Sequence, residues 1–416
     1  MRQFAGLIIA FIMLPVMLKV YPKITGKKAP LGPILAVTGL IMAVIGGLGP
    51  KNMLDALVRV FTTFSSLQTL IVVLEIGILG SILKQYGILD KIVGALEQLI
   101  PSKKVLIMIL PAIMGLLPVP GGAFLSAPFV DSLGTSMNMS GERKTVINLY
   151  FRHFSSFVLP YSTTMLAIAT ALNGVNVYTL ILLNMPFVLA MMIGAYFMYV
   201  RSAPEVRAEG RGDAGKAIKD VLIYMSPIYM AFILNAVVGL QMYQSIFLCI
   251  LLTFFIIGKD KSKYLSSFLK GIDIGTVLML TGVYFMQNIV KQLDVVMSSV
   301  GGLLSGSSVI MFMLIVPLVG LAFGLSTGIS LVPMGILLPF VAGMNLSPMA
   351  QMVYASYILC WCFFGYYYSP FHMCQLLTVK YVGCDTGAVY KLHTRMIPVL
   401  ALAAMGSFLL YNLILL

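Results

Sequence analysis

The sequence predicts an all-α polytopic membrane protein made of two inverted repeats, each with five spans and a re-entrant hairpin. Three observations predict it. The 416 residues are 60% hydrophobic and only 10% charged, with a mean hydropathy of +0.99, whereas a soluble domain carries about a quarter charged residues. The basic residues sort to one side of the proposed spans. Three motifs of the first half recur in the second, in order and at one offset. The alternating pattern of an outer-membrane barrel is absent.

Apolar runs of bilayer length place ten spans, at 4–20, 31–48, 61–83, 145–172, 176–200, 221–239, 242–258, 272–290, 348–379 and 396–415. The first is followed by lysines and lacks a small-residue cleavage site, so it is expected to be a retained span and not a leader. The fourth and ninth are interrupted by Pro160 and Pro370. Each proline removes a backbone donor and clashes with the preceding turn. Two further apolar stretches, 105–130 (its hairpin closing by 134) and 306–341, are assigned to re-entrant hairpins. The mixed faces of 84–104 and 291–304 read as interfacial arm helices.

The net charge of +13 is explained by topology, with no need for a nucleic-acid partner. With the spans above, Lys23, Lys27, Lys84, Lys103, Arg143, Arg207, Lys259 and Lys391 fall on one side with most other basic residues. Only Arg2, Lys51, Arg59 and Lys291 fall on the other. The rich side is cytoplasmic by the positive-inside rule, so both termini are expected outside a multi-pass protein of the cytoplasmic (inner) cell membrane. Had 105–130 and 306–341 been full spans, loops of the same charge would face both sides.

The polar stretch 201–220 separates the repeats 1–200 and 221–416. Ile82-Leu83-Lys84-Gln85 recurs as Ile289-Val290-Lys291-Gln292. The breaker PVPGGAFLSAP at 118–128 has a counterpart in GLSTGISLVP at 324–333, and HFSSFVLPYST at 153–163 has one in FFGYYYSPFHM at 363–373. The offsets are all roughly 206–210 residues, a duplication signal. Five spans per repeat is odd, so the second repeat inserts upside down. Inverted repeats with broken helices mark secondary transporters, whose sites lie near the bilayer midplane.

Broken backbone at membrane depth is tolerable where it lines a protein-enclosed, hydrated cavity. Pro118, Pro120, Gly121 and Gly122 are expected at one hairpin tip, with Ser126 beyond it. Ser326, Thr327, Gly328 and Ser330 are expected at the other, broken at Pro333. Glycines there would let an anion reach backbone amides at a helix N-terminus. The competing reading is that these are small residues at helix-packing contacts. In the broken spans, Arg152, Ser155, Ser156, Ser369, His372 and Gln375 are candidate substrate contacts. Ser162, Thr163, Thr164 and His153 are candidates for ion coupling, with Ser330 from the second tip and Glu75 from the third span. Neutral oxygens suit sodium better than a transition metal. Arg152 pairs with a carboxylate or phosphate in one reading and snorkels to the headgroups in the other. The histidines either carry protons or are satisfied in the core. Glu75 is either a proton or cation site or the partner of a basic side chain. Asp131 and Asp273 lie near span ends, where solvation accounts for them. Three histidines and five cysteines are too few and too scattered for a metal cluster, and no zinc-site or disulfide spacing is present. No metalloprotease or Ser/His/Asp arrangement occurs, so no enzyme is expected.

The segments LLPVPGGAFLSAPFVDSLG, FRHFSSFVLPYSTT and GLSTGISLVPMGILLPF resemble the ion transporter superfamily. That group holds carriers of dicarboxylates, citrate, gluconate and lactate, with arsenite and sodium/proton transporters. Within it the chain most resembles the integral-membrane family named domain of unknown function 401, over nearly its whole length. The resemblance implies a homodimer, a scaffold domain, and an elevator-like transport domain that holds hairpins and broken helices. It also implies sodium- or proton-coupled carriage of an organic anion, with no cofactor beyond the coupling ion. The Ser-Asn-Thr motif of the dicarboxylate members is absent from both tips, so their specificity does not carry over. The expected function is a secondary carrier of a small, carboxylate-type organic anion. The alternatives are a cation/proton antiporter resting on Glu75 and the histidines, and a lipid-phosphate flippase.

Overall fold

A computed structural model describes residues 1–27, 29–116, 122–172, 175–207, 213–257, 261–299, 309–344 and 346–416, with backbone alone at 122–124. Pro118, Pro120 and Gly121 of the first predicted tip lie outside the described residues. The described chain is helical, without a named strand. By length and composition, eight of its helical segments could cross a membrane, so the polytopic class holds.

The first half runs α1 (Arg2–Thr25), α2 (Leu31–Gly46), α3 (Pro50–Thr62), α4 (Phe64–Gln85) and α5 (Ile88–Leu99). It continues through α6 (Lys103–Gly115), α7 (Gly122–Ser136), α8 (Gly141–His153), α9 (Ser155–Val158), α10 (Thr163–Ala171) and α11 (Val177–Ala195). The second half runs α12 (Ala214–Ala236), α13 (Met242–Ile256), α14 (Tyr264–Lys270), α15 (Ile274–Lys291), α16 (Val309–Thr327) and α17 (Leu331–Gly343). It ends with α18 (Pro348–Tyr367), α19 (Met373–Val382), α20 (Thr386–His393) and α21 (Ile397–Ile414).

The interruptions fall where proline predicts them. α9 ends at Val158, and Pro160 lies in the non-helical link to α10; α18 ends at Tyr367, and Pro370 lies in the link to α19. The second hairpin turns at Gly328, whose φ of 68° is a left-handed conformation that favours glycine. An added Cβ there would also meet the Phe371 backbone at 2.9 Å. Pro333, expected to be the break, instead lies in the first turn of α17, where a missing N–H costs no intrahelical bond. Helix lengths differ from those the span assignment implies. The second and seventh spans are short helices of 16 and 15 residues. Conversely, α16, assigned to a hairpin leg, has 19 residues, about 28 Å of helix against a hydrocarbon core of about 30 Å.

Packing is cross-connected between halves. α4 lies against α13 and α14, while α15 lies against α2 and α3; α5 meets α12. Glycines allow the closest of these contacts: a Cβ on Gly282 would stand 2.6 Å from the Gly32 carbonyl oxygen. Close backbone approach through small residues is how helices associate when lipid offers no hydrophobic gain between them. α7 is tied to α8 by an ion pair, Lys144 Nζ to Asp131 at 2.6 Å. Asp131 is therefore a structural partner of α8 and more than a solvated span end.

Candidate functional site

The break in the first half builds a cavity of about 350 Å³. α8 starts on Ser140, whose side chain accepts from the Arg143 amide, and delivers Arg152 and His153 in its last turn. One turn of helix, α9, follows before Leu159 and Pro160 open the backbone. The carbonyls freed there are taken by hydroxyls. Thr164 Oγ1 donates to the Ser156 carbonyl at 2.9 Å and Ser155 Oγ to the Arg152 carbonyl at 3.1 Å. Ser162 caps α10, its side chain accepting from the Met165 amide. The predicted hydroxyl cluster thus satisfies the broken backbone, as buried irregular structure requires.

Six predicted residues come together on the wall of this cavity: Arg152, His153, Ser155, Ser156, Ser162 and Thr163. Arg152 is only 7% exposed. Its Nη1 donates to the Met114 carbonyl at 2.9 Å, and its guanidinium bonds the Cys374 side chain. It does not snorkel to a surface. Among the described residues no carboxylate forms an ion pair with it. Gly115, also on the wall, lets the Arg152 carbonyl approach α6 so closely that any Cβ would collide with it. α6 therefore ends at the cavity.

The rest of the lining was not foreseen. Asp273 and Thr276 reach the cavity from the start of α15. Asp273 caps that helix, accepting from the Thr276 amide at 3.2 Å and from its hydroxyl at 2.5 Å. The spacing Asp-x-x-Thr before an apolar run was a legible capping signal; that it opens into a cavity was not. Tyr366 and Cys374 arrive from the break in the second half. His153 Nε2 lies 3.1 Å from the Tyr366 hydroxyl and 3.2 Å from His372 Nε2. One ligand atom from each of His153, His372 and Cys374 falls within 4.8 Å of the others, so residues that look scattered in sequence cluster in space.

Other predicted residues lie elsewhere. Ser326, Thr327 and Gly328 line a separate cavity of about 410 Å³, facing Leu18 and Lys19 of α1. Ser369 Oγ donates to the Leu325 carbonyl at 2.7 Å, which fastens the second tip to the second break. Ser330 stands at the start of α17. Gln375 is buried, with Oε1 3.2 Å from Nδ1 of His393. Ser126 is buried on α7 and Gly122 begins that helix. Glu75 is buried in α4, with its Oε2 lacking a hydrogen-bond partner. Its neighbours Val73, Ile76 and Gly77 line the first cavity, but Glu75 itself does not.

A family model described as "Protein of unknown function (DUF401)" matches residues 10–414. No curated protein matches the sequence.

Proposed function

The chain belongs to the DUF401 family, and from that premise and the cavity we propose that it is a secondary active transporter of a small organic anion. The observation that carries this reading is Arg152: a buried guanidinium without a carboxylate partner among the described residues, on the wall of a 350 Å³ cavity beside a broken helix. A charge at membrane depth is costly and is retained for function. Its fork suits a carboxylate, and Ser155, Ser156 and Thr163 supply hydroxyls around it.

Asp273 on the wall of the same cavity gives a reason for coupling. An anion entering beside this carboxylate meets a repulsion that a sodium ion bound at Asp273 would remove. The site then loads substrate and coupling ion together, which is symport. The membrane geometry supports alternating access between inverted repeats. Gly115 packs on the carbonyl of Arg152, and Gly320 would set a Cβ 2.8 Å from the carbonyl of Trp361. The two contacts are related by roughly the same offset as the sequence motifs. An elevator-like movement of the hairpins and broken helices within a dimer completes the proposal.

The test is a thermal-stability screen of the purified protein with mono-, di- and tricarboxylates, sugar acids and phosphate esters, each with sodium or potassium. A ligand that binds the native state raises the melting temperature by mass action. The reading predicts stabilisation by one anion class, dependent on sodium or on low pH. One specific observation favours a second reading: the partnerless Oε2 of buried Glu75 fits a cation/proton antiporter. Stabilisation by sodium or pH alone, with no anion effective, selects it.

A further inference from the structure

All three histidines of the chain are buried, and two of them meet from opposite halves. His153 closes α8, while His372 caps α19 and Cys374 is the second residue of that helix. The two rings approach Nε2 to Nε2 at 3.2 Å. Their other nitrogens decide the tautomers. His153 Nδ1 lies 2.8 Å from the Leu149 carbonyl oxygen, and His372 Nδ1 lies 3.1 Å from that of Tyr367. A carbonyl only accepts, so each Nδ1 carries the hydrogen, and each neutral ring presents a lone pair at Nε2. Two lone pairs therefore face each other. The Tyr366 hydroxyl has one hydrogen to give and lies 3.1 Å from His153 Nε2; given there, it leaves the His372 lone pair unanswered.

A metal cation answers both at once. Metal-bound histidines donate their distal N–H to a backbone carbonyl or a carboxylate, which fixes the tautomer. Both rings are already held that way. Cys374 adds a soft donor, and the three ligand atoms lie within 4.8 Å of one another. Bonds of about 2.0–2.1 Å to nitrogen and 2.3 Å to sulfur place tetrahedral donors roughly 3.3–3.8 Å apart. The nitrogen pair is near that spacing already, and side-chain shifts of about 1 Å complete it.

We propose that His153, His372 and Cys374 form a binding site for a d10 transition-metal ion, zinc(II) or copper(I). Two imidazoles and a thiolate suit both ions, and the Tyr366 hydroxyl lies 3.1 Å from His153 Nε2. The bound ion would join the end of α8 to the start of α19, pinning the two helix breaks to each other beside Arg152. This site stands independently of the anion-carrier reading.

The test uses the full chain in detergent, stripped with a chelator and kept reduced. It is titrated with zinc(II), and separately with copper(I), against a chromophoric competitor. The expected result is one ion per chain for one of the two metals, weakened at least a hundredfold in Cys374→Ser and in His372→Gln. Ser155→Ala, in the same cavity but outside the cluster, keeps wild-type affinity. X-ray absorption of the loaded protein should show one sulfur and two imidazole ligands. Wild-type protein, without any substitution, should lose Cys374 alkylation when loaded. Absence of stoichiometric binding of either metal overturns the site, as does unchanged affinity in a folded Cys374→Ser variant.

Discussion

Arg152→Gln is the most informative single change. The guanidinium is buried and bonds the Met114 carbonyl and the Cys374 side chain. Arg152 lines the cavity, and a carboxylate bound there would take two charge-assisted hydrogen bonds from its fork. Truncating one partner of such a desolvated pair costs about 2–5 kcal/mol. Taking about 3 kcal/mol, anion affinity should fall about 150-fold at 1.4 kcal/mol per tenfold. Stability should fall far less, by about 1 kcal/mol, for the bond lost at Met114. Arg152→Lys keeps the charge without the fork, and about a tenfold loss of affinity is expected of it. The assay is calorimetric titration of the stabilising carboxylate into wild type and both variants, with sodium present. If Arg152→Gln is folded and binds that carboxylate as wild type does, the guanidinium is structural and the anion reading fails.

Three further outcomes follow from the geometry. Asp273→Asn removes the carboxylate proposed to hold the coupling sodium, so anion binding should lose its sodium dependence; retained dependence in equilibrium binding assigns coupling elsewhere. Glu75→Gln should leave carboxylate affinity within about twofold of wild type, because Glu75 does not line the cavity; abolished binding would contradict this placement. Gly328→Ala should destabilise by about 2 kcal/mol in thermal or denaturant unfolding, since a side chain is strained in the left-handed region and meets the Phe371 backbone.

What was legible in the sequence is what local chemistry determines. Runs of apolar residues marked the spans, and Pro160 and Pro370 marked both breaks because a missing N–H acts wherever the chain goes. Gly328 was legible as a tip because a residue without a Cβ takes a left-handed turn, although Pro333 misplaced the break: proline tolerates a first helical turn, and the sequence alone does not say on which side the helix starts. The long-range facts were not legible. His153 and His372 are 3.2 Å apart in space but 219 residues apart in sequence. Nothing in the spacing of either predicts the meeting. Asp273 announced its cap and hid its cavity, because which face of α15 packs on α4 is decided by glycine contacts distributed over both halves. Nor was it legible that the second tip lines a cavity facing α1, where Ser369 bonds the Leu325 carbonyl.

The polar contacts between the two breaks limit how any alternating access could work. Asn148 Nδ2 donates to Thr378 Oγ1 at 3.0 Å, and the hydroxyls of Tyr150 and Tyr368 lie 2.9 Å apart. With His153 against Tyr366 and His372, these bonds run along α8 from its middle to its end, all toward the second half. They are buried, so separating the partners leaves polar groups unsatisfied at about 1–3 kcal/mol each. Against α4 and α15 the first broken helix is held more lightly, through Thr170, which lies 2.9 Å from the Thr69 hydroxyl and accepts from Tyr284 at 3.5 Å. A transport movement therefore costs least if both broken helices travel as one body past α4 and α15, with the Thr170 bonds exchanged on the way. Arg152 would ride on that body while Asp273 stays on the wall it slides past. The cavity between them would then change shape in every cycle, and neutralising Asp273 would act on the moving arginine's pocket instead of on a fixed cage.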